Sequence, residues 1–216
     1  MATPSNVIVE NVSRETLGRV DEWYQTKIAE FEQYGQLLLW WNRKVNLVSR
    51  DLSAEELRLH IKHCLLLAAY VEPLHETHWV DTGTGGGLPG IPFSIVFPMA
   101  EVVLNDVVEK KGVVLRDMIR KLDISNTRVE IMDIARISMD TPFSVMTKHA
   151  FKIKDLLERL SGKDWKHLVF LKGADYIDEL NSVDLSPYKI RVLFLESTKP
   201  ESFFKGKYLL HLCQID

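Results

Sequence analysis

The chain has 216 residues, 46% of them hydrophobic, and a formal net charge of −3, which suits one good-sized domain with a small appendage. No apolar run approaches the ~20 residues of a membrane span, and Met1-Ala2-Thr3-Pro4-Ser5-Asn6 lacks the basic and apolar regions of a secretory leader, so the chain reads as soluble, cytoplasmic and monomeric, without a membrane partner. A charge of −3 makes no global case for nucleic acid, so any such role must rest on local basic clusters.

Over residues 13–41, Leu17, Val20, Trp23, Tyr24, Ile28, Phe31, Tyr34, Leu37, Leu38 and Trp41 recur at spacings of three and four. That is the period of an amphipathic helix, with a break expected near Gly35. Residues 42–50 form a polar, basic connection. Ser53-Ala54-Glu55-Glu56 then reads as a capping box opening a helix to about Tyr70. Residues 1–75 are therefore expected to be a helical extension.

Residues 76–216 follow a different pattern. Strand candidates at 79–81, 101–106, 128–132, 143–147 and 167–171 alternate with helix-length segments, notably 109–122 and 153–160. Such alternation predicts an α/β fold with a parallel, Rossmann-like sheet and right-handed crossovers. Residues 190–195 and 208–213 have no helix between them, only 196–207, and should pair as an antiparallel hairpin. Cys64 and Cys213 stand in no metal or redox spacing, which sets zinc and disulfide readings aside.

Five of the eleven glycines lie within Val80-Asp81-Thr82-Gly83-Thr84-Gly85-Gly86-Gly87-Leu88-Pro89-Gly90, between a strand and a helix starting at Leu88. Pro89 and Pro92 fit only its first turn. Such a turn needs positive φ and close backbone approach, and aims a helix N-terminus at a nucleotide or nucleoside. Leu88 stands where a dinucleotide GxGxxG has its third glycine, which weakens an NAD-dependent oxidoreductase reading. Asp106 ends the second strand, 23 residues beyond Gly83, about where an acid bridges ribose hydroxyls; its other reading is a helix cap. Asp81 reads equally as a cap on the turn or a cofactor contact.

Trp41-Asn42-Arg43-Lys44-Val45-Asn46-Leu47, His60, the glycine stretch continuing into Leu88-Pro89-Gly90-Ile91-Pro92, Leu104-Asn105-Asp106 with Lys110-Lys111, and Leu171-Lys172-Gly173 occur in this order. In these motifs the chain resembles the small-subunit ribosomal RNA methyltransferase G family, also called glucose-inhibited division protein B. The resemblance spans nearly the whole chain. It implies a class I S-adenosylmethionine-dependent methyltransferase fold with an N-terminal helical extension, methylating guanine N7 in 16S rRNA within the 30S subunit or its assembly intermediate. Carried over by position, it implies Gly83, Gly85, Leu88, Asp106, Ala135, Arg136 and His149 around S-adenosylmethionine. Asp133 could accept from the adenine amino group or act as a cap.

Two segments depart from the family pattern. Lys148-His149-Ala150 stands where the family has Ser-Arg-Ala, so either Lys148 supplies the missing charge or His149 does so weakly and with pH dependence. The reading taken places His149 in the pocket and Lys148 on RNA. His60-Ile61-Lys62-His63-Cys64 replaces His-x-x-Asp-Ser, with His60 expected at the core edge against the glycine loop and no metal bound. Arg43, Lys44, Lys148 and Lys172 are the candidate RNA contacts. Trp40, Trp41 and Phe151 read as core. Guanine N7 carries a lone pair and no proton, so no catalytic base is assigned. A methyltransferase-like protein that only binds RNA is the remaining alternative.

Overall fold

The computed structural model describes residues 6–215; the leader reading of residues 1–6 lies, but for Asn6, outside them. Ser13 Oγ accepts from the Thr16 amide at 3.0 Å and caps α1 (Arg14–Thr26). Lys27, at φ −115° and ψ 25°, separates α1 from α2 (Ile28–Asn42). The helix therefore breaks at Lys27, not at Gly35. Gly35 lies inside α2, where a Cβ would already touch Leu57 Cδ2 at 3.5 Å, so it serves close packing on the next helix. That helix, α3 (Ala54–Val71), opens with the capping box: Ser53 Oγ accepts from the Glu56 amide and Glu56 Oε2 accepts from the Ser53 amide.

Among the described residues, eight strands form one sheet. They are β1 (Val7–Asn11), β2 (His78–Thr82), β3 (Glu101–Asp106), β4 (Thr127–Ile131), β5 (Phe143–Lys148), β6 (Trp165–Lys172), β7 (Tyr188–Phe194) and β8 (Tyr208–Gln214). Their order is β1-β7-β8-β6-β5-β2-β3-β4, parallel except for β8, which runs antiparallel between β6 and β7. Helices α4 (Gly90–Val96), α5 (Glu109–Lys121), α6 (Ile153–Arg159) and α7 (Tyr176–Asn181) fill the crossovers, and α8 (Glu201–Phe204) sits in the β7–β8 connection.

The period-2 alternation of the strands explains the layering. Val102, Leu104, Val169, Leu171 and Leu209 face a core shared with α1 to α5, whereas Val103, Leu168, Phe170, Leu210 and Leu212 face a second core under α6 and α7. The N-terminal helices thus share the first core with the sheet. Three elements escaped the sequence pattern. β1 pairs parallel with β7 at the sheet edge, so the first 75 residues are not wholly helical; its five mostly exposed residues carry no burial alternation. Helices α7 and α8 span only six and four residues, below the window in which a helical period can be read.

The chain steps outward from β2 to β3 and β4, then returns to lay β5 on the other side of β2. Between the carboxyl ends of β2 and β5 lies the topological switch point, where open α/β sheets bind ligands.

Candidate cofactor site at the switch point

The turn leaving β2 has left-handed backbone at Gly83 (φ 68°), Gly85 (φ 56°) and Gly87 (φ 94°), a conformation costly for residues with a Cβ. A Cβ at Gly83 would lie 2.3 Å from Ala150 Cβ, one at Gly86 2.5 Å from Leu38 Cδ1, and one at Gly90 2.3 Å from Leu104 Cδ2. The close approach expected of these glycines is therefore first to their own chain. Helix α2 forms the wall behind the turn: buried Tyr34 donates its hydroxyl to the Gly86 carbonyl at 3.0 Å. The 42–50 connection closes in as well, with Leu47 O 3.2 Å from a Cβ at Gly85; Asn42 Oδ1 holds that connection by accepting from the Leu47 and Val48 amides. Leu88 is buried in the first core and its amide donates to Thr84 O, so it shapes the turn.

Side chains tie four strand ends together beneath the turn. Thr147 Oγ1 donates to Thr82 O, Thr82 Oγ1 donates to Asn105 Oδ1, and Asn105 Nδ2 donates to Glu130 O and Met132 O. These bonds fix the ends of β5, β2, β3 and β4 relative to one another. Asp81 Oδ2 accepts from Thr84 Oγ1 at 2.6 Å and the Gly90 amide at 2.7 Å, capping the turn and the start of α4. Its Oδ1 is buried without a partner, and burial lifts the Asp81 carboxyl to about 7. Asp106 Oδ2 accepts from the Gly85 amide (3.1 Å) and Lys111 Nζ (3.2 Å), and Oδ1 from the Val108 amide. The cap reading of Asp106 is met at the chain entering α5, and the same carboxylate also holds the glycine turn.

After β4, Asp133 accepts from the Ala135 amide and pairs with Arg159, in the manner of a cap. Ala135 and Arg136 lie on the exposed 3-10 turn that follows. His149 follows β5 in a left-handed conformation, φ 54°, an uncommon state for a residue with a Cβ. Although the residue as a whole is open to solvent, desolvation and the charges of Lys148, Lys172 and Lys207 push its pKa down to about 4, a direction that favours the uncharged imidazole near neutrality. The fold thus gathers Gly83, Gly85, Leu88, Asp106, Ala135, Arg136 and His149 at the carboxyl ends of β2 to β5.

Several residues differ from their expected roles. Lys172 is 4% exposed and donates to Glu179 (2.7 Å) and to Phe151 O (2.6 Å), so it is a structural ion pair and cannot contact RNA. Lys148 is half-buried and feels Cys64 and Asp81 of the interior, with burial lowering its pKa; it turns inward. His60 packs edge-to-face on Phe203 at 5.1 Å, and His63 is fully buried with both ring nitrogens unpartnered. Trp40 is 41% exposed, which removes it from the core. Half-buried Phe151 lies 3.1 Å from a Cβ at Gly83, beside the turn. Arg43, Lys44 and Arg50 are exposed around a cleft of about 510 Å³ that Asn42 and Asn46 also line. Tyr34, Asn105 and Phe151 are site residues to which sequence reasoning gave no site role: Tyr34 stood in the apolar stripe of α2, Asn105 in the motif before Asp106, and Phe151 read as core.

The family model for rRNA small subunit methyltransferase G, GidB, matches residues 27–201. The ribosomal RNA small subunit methyltransferase G of Flavobacterium psychrophilum is 30% identical over 206 residues, 92% of this chain and 96% of its own length. That of Chlorobaculum tepidum is 35% identical over 165 residues, 73% of each chain. Among solved structures, a SAM-dependent O-methyltransferase from Thermotoga maritima superposes with a TM-score of 0.54 at 13% identity, over 72% of this chain and 65% of that one, a likeness of fold alone. The motif order in the sequence, the strand order and the family match agree, and the chain belongs to the rRNA small subunit methyltransferase G family.

Proposed function

We propose that this chain uses S-adenosylmethionine to methylate N7 of a guanine in the 16S rRNA of the small ribosomal subunit, acting as a monomer in the cytoplasm on the 30S particle or its assembly intermediate. Family membership supports this over the oxidoreductase and binding-only alternatives. The observation that carries it is the convergence of a tightly walled glycine turn, Asp106 and the exposed 135–136 turn at one switch point.

The residues present fit the cofactor. A carboxylate has about four lone-pair positions, and Asp106 uses three of them on Gly85, Val108 and Lys111, so it retains capacity for a ribose hydroxyl beside the turn. The unpartnered Asp81 Oδ1 is a second polar atom at the turn. When bound, S-adenosylmethionine supplies an electrophilic methyl group. Guanine N7 presents a lone pair and no proton, so no residue has to remove one. What remains for the protein is to hold the two reactants in line at roughly 3 to 3.5 Å and exclude water. In this reading Asp106 and the glycine turn orient the ribose and methionine ends, Ala135 and Arg136 border the adenine by their backbone, and neutral His149 with Phe151 borders the entry of the target base.

RNA affinity comes from phosphate contacts. Arg19, Lys27, Arg58 and Lys62 in the helical region each have a carboxylate partner. Among the described residues Arg43, Lys44 and Arg50, in the connection seated on the glycine turn, have none within 4.0 Å. Unneutralised cations beside the site suit a polyanion. Helix α2 would then brace the turn and lead into the RNA-facing connection. Calorimetry with S-adenosylhomocysteine and NADH tests the cofactor: S-adenosylhomocysteine should bind and NADH should not, and the reverse would overturn the proposal.

A further inference from the structure

The exposed tryptophan at the end of α2 stands apart from its neighbour. Trp41 donates its indole N–H to Asp117 at 3.0 Å and is half-buried. Trp40 is 41% exposed and packs edge-to-face on Trp41, with ring centroids 4.7 Å apart. Lys44 Nζ lies 3.6 Å from the Trp40 ring centroid and Lys121 Nζ 5.4 Å from it. Three residues on, Arg43 begins the basic connection whose Leu47 rests on the glycine turn. The patch is therefore an aromatic surface flanked by cations, and the chain runs directly from it into the connection seated on the glycine turn.

We infer that Trp40 is a stacking platform for an unpaired rRNA nucleotide next to the target guanine, with Lys44 leaving the indole face for the phosphate as the base arrives. The inference rests on rRNA being the substrate. The chemistry selects single-stranded RNA, because bases in an A-form duplex are stacked on one another and offer no free face to an aromatic side chain. Lysine placement selects an anionic partner: Lys44 has no carboxylate within 4.0 Å among the described residues, and Lys121 has only Asp117, which Arg120 and the Trp41 indole also use. In the free protein the ammonium–indole contact keeps the face covered. A base offers the same face a larger contact while the lysine gains a phosphate.

The test uses the full chain with unmethylated 30S subunits and with a single-stranded oligoribonucleotide of about twelve nucleotides. Stacking on one aromatic side chain is worth about 1–3 kcal/mol, so Trp40→Ala should weaken binding to both probes about 5- to 150-fold and raise KM for the subunit more than it lowers kcat. Trp40→Phe should recover most of the affinity, and S-adenosylhomocysteine binding should stay at the wild-type level in both variants. Lys44→Met should flatten the dependence of log affinity on log salt by about 0.7 to 0.9. Wild-type methyl transfer combined with unchanged RNA affinity in Trp40→Ala would overturn the stacking role alone. Equal RNA losses in Trp40→Ala and Trp40→Phe, accompanied by lost S-adenosylhomocysteine binding, would make Trp40 a packing residue and overturn it too. A wild-type protein that neither binds nor methylates the subunit would overturn the rRNA reading itself.

Discussion

The wall that α2 builds behind the glycine turn can be tested at one atom. Gly86 lacks the positive φ of Gly83, Gly85 and Gly87, so alanine suits its backbone and any penalty is steric. The added methyl would lie 2.5 Å from Leu38 Cδ1 and 3.4 Å from Leu47 Cβ, against a normal carbon–carbon separation of about 3.5–4.0 Å. Leu38 is fully buried and must shift by about 1 Å inside a packed core, so Gly86→Ala should cost about 1–3 kcal/mol. For a chain of this size that lowers Tm by roughly 2–12 °C. Leu38→Ala should cost about 2–5 kcal/mol by leaving a cavity, which the alanine methyl partly fills in the double variant. The double variant should then be more stable than the sum of the single losses by about 1 kcal/mol or more. Gly86→Ala should also weaken S-adenosylhomocysteine binding, and Leu38→Ala should restore it. Losses that add to within about 0.5 kcal/mol, with cofactor affinity unmoved, would refute the idea that α2 shapes the turn.

Asp106→Ala removes charge-assisted hydrogen bonds of about 1.5–3 kcal/mol each, so calorimetry should show S-adenosylhomocysteine affinity reduced at least about tenfold; an unchanged affinity removes Asp106 from the ribose. Lys172→Met leaves half-buried Glu179 without its cation at a cost of about 3–5 kcal/mol, a Tm loss of about 6–20 °C. The salt dependence of RNA binding should not move in that variant; a weaker RNA complex at unchanged Tm would return Lys172 to the RNA surface. Burial lowers the pKa of His63 well below 6.5 and that of His211 to about 3. Their contribution to stability is complete above pH 6.5 and is lost as pH falls below it, for His211 down to about 3, at up to about 1.4 kcal/mol per pH unit for each. Asp81 has the opposite sign, because its carboxyl is raised from 3.8 to about 7: its contribution is largest below pH 4 and is lost as pH rises to 7. Urea denaturation from pH 4 to 7 should therefore show a steeper acid loss in Asp81→Asn than in wild type; parallel curves would contradict the raised carboxyl.

Most of the sheet could be read from the sequence because its strands are buried. Runs such as Val102-Val103-Leu104 and Leu168-Val169-Phe170-Leu171 meet apolar neighbours on both faces, and their short length and β-branched residues mark them as covered strands. Strand β8 was legible for the same reason. The glycine cluster announced a tight turn, yet not what crowds it: Ala150, Leu38 and Ile91 come from distant positions or the following turn, and only the folded chain brings them together. Lys172 shows the same limit. As a lysine at a strand end it had the pattern of a ligand contact, and its fate is decided by Glu179 on α7, a six-residue helix with no readable period. Trp40 and Trp41 are adjacent and chemically alike; Asp117 on α5, by fixing one indole N–H, makes one a packing residue and leaves the other exposed.

The central claim is methyl transfer to one guanine N7 of small-subunit rRNA. Its most direct measurement is incubation of the purified chain with methyl-labelled S-adenosylmethionine and unmethylated 30S subunits, followed by chemical cleavage of the 16S rRNA at N7-methylguanine. Label at a single guanine, cleaved there and lost in Asp106→Ala, is the predicted result. Label on another base, label spread over many positions, or no transfer from a protein that binds S-adenosylhomocysteine would contradict it.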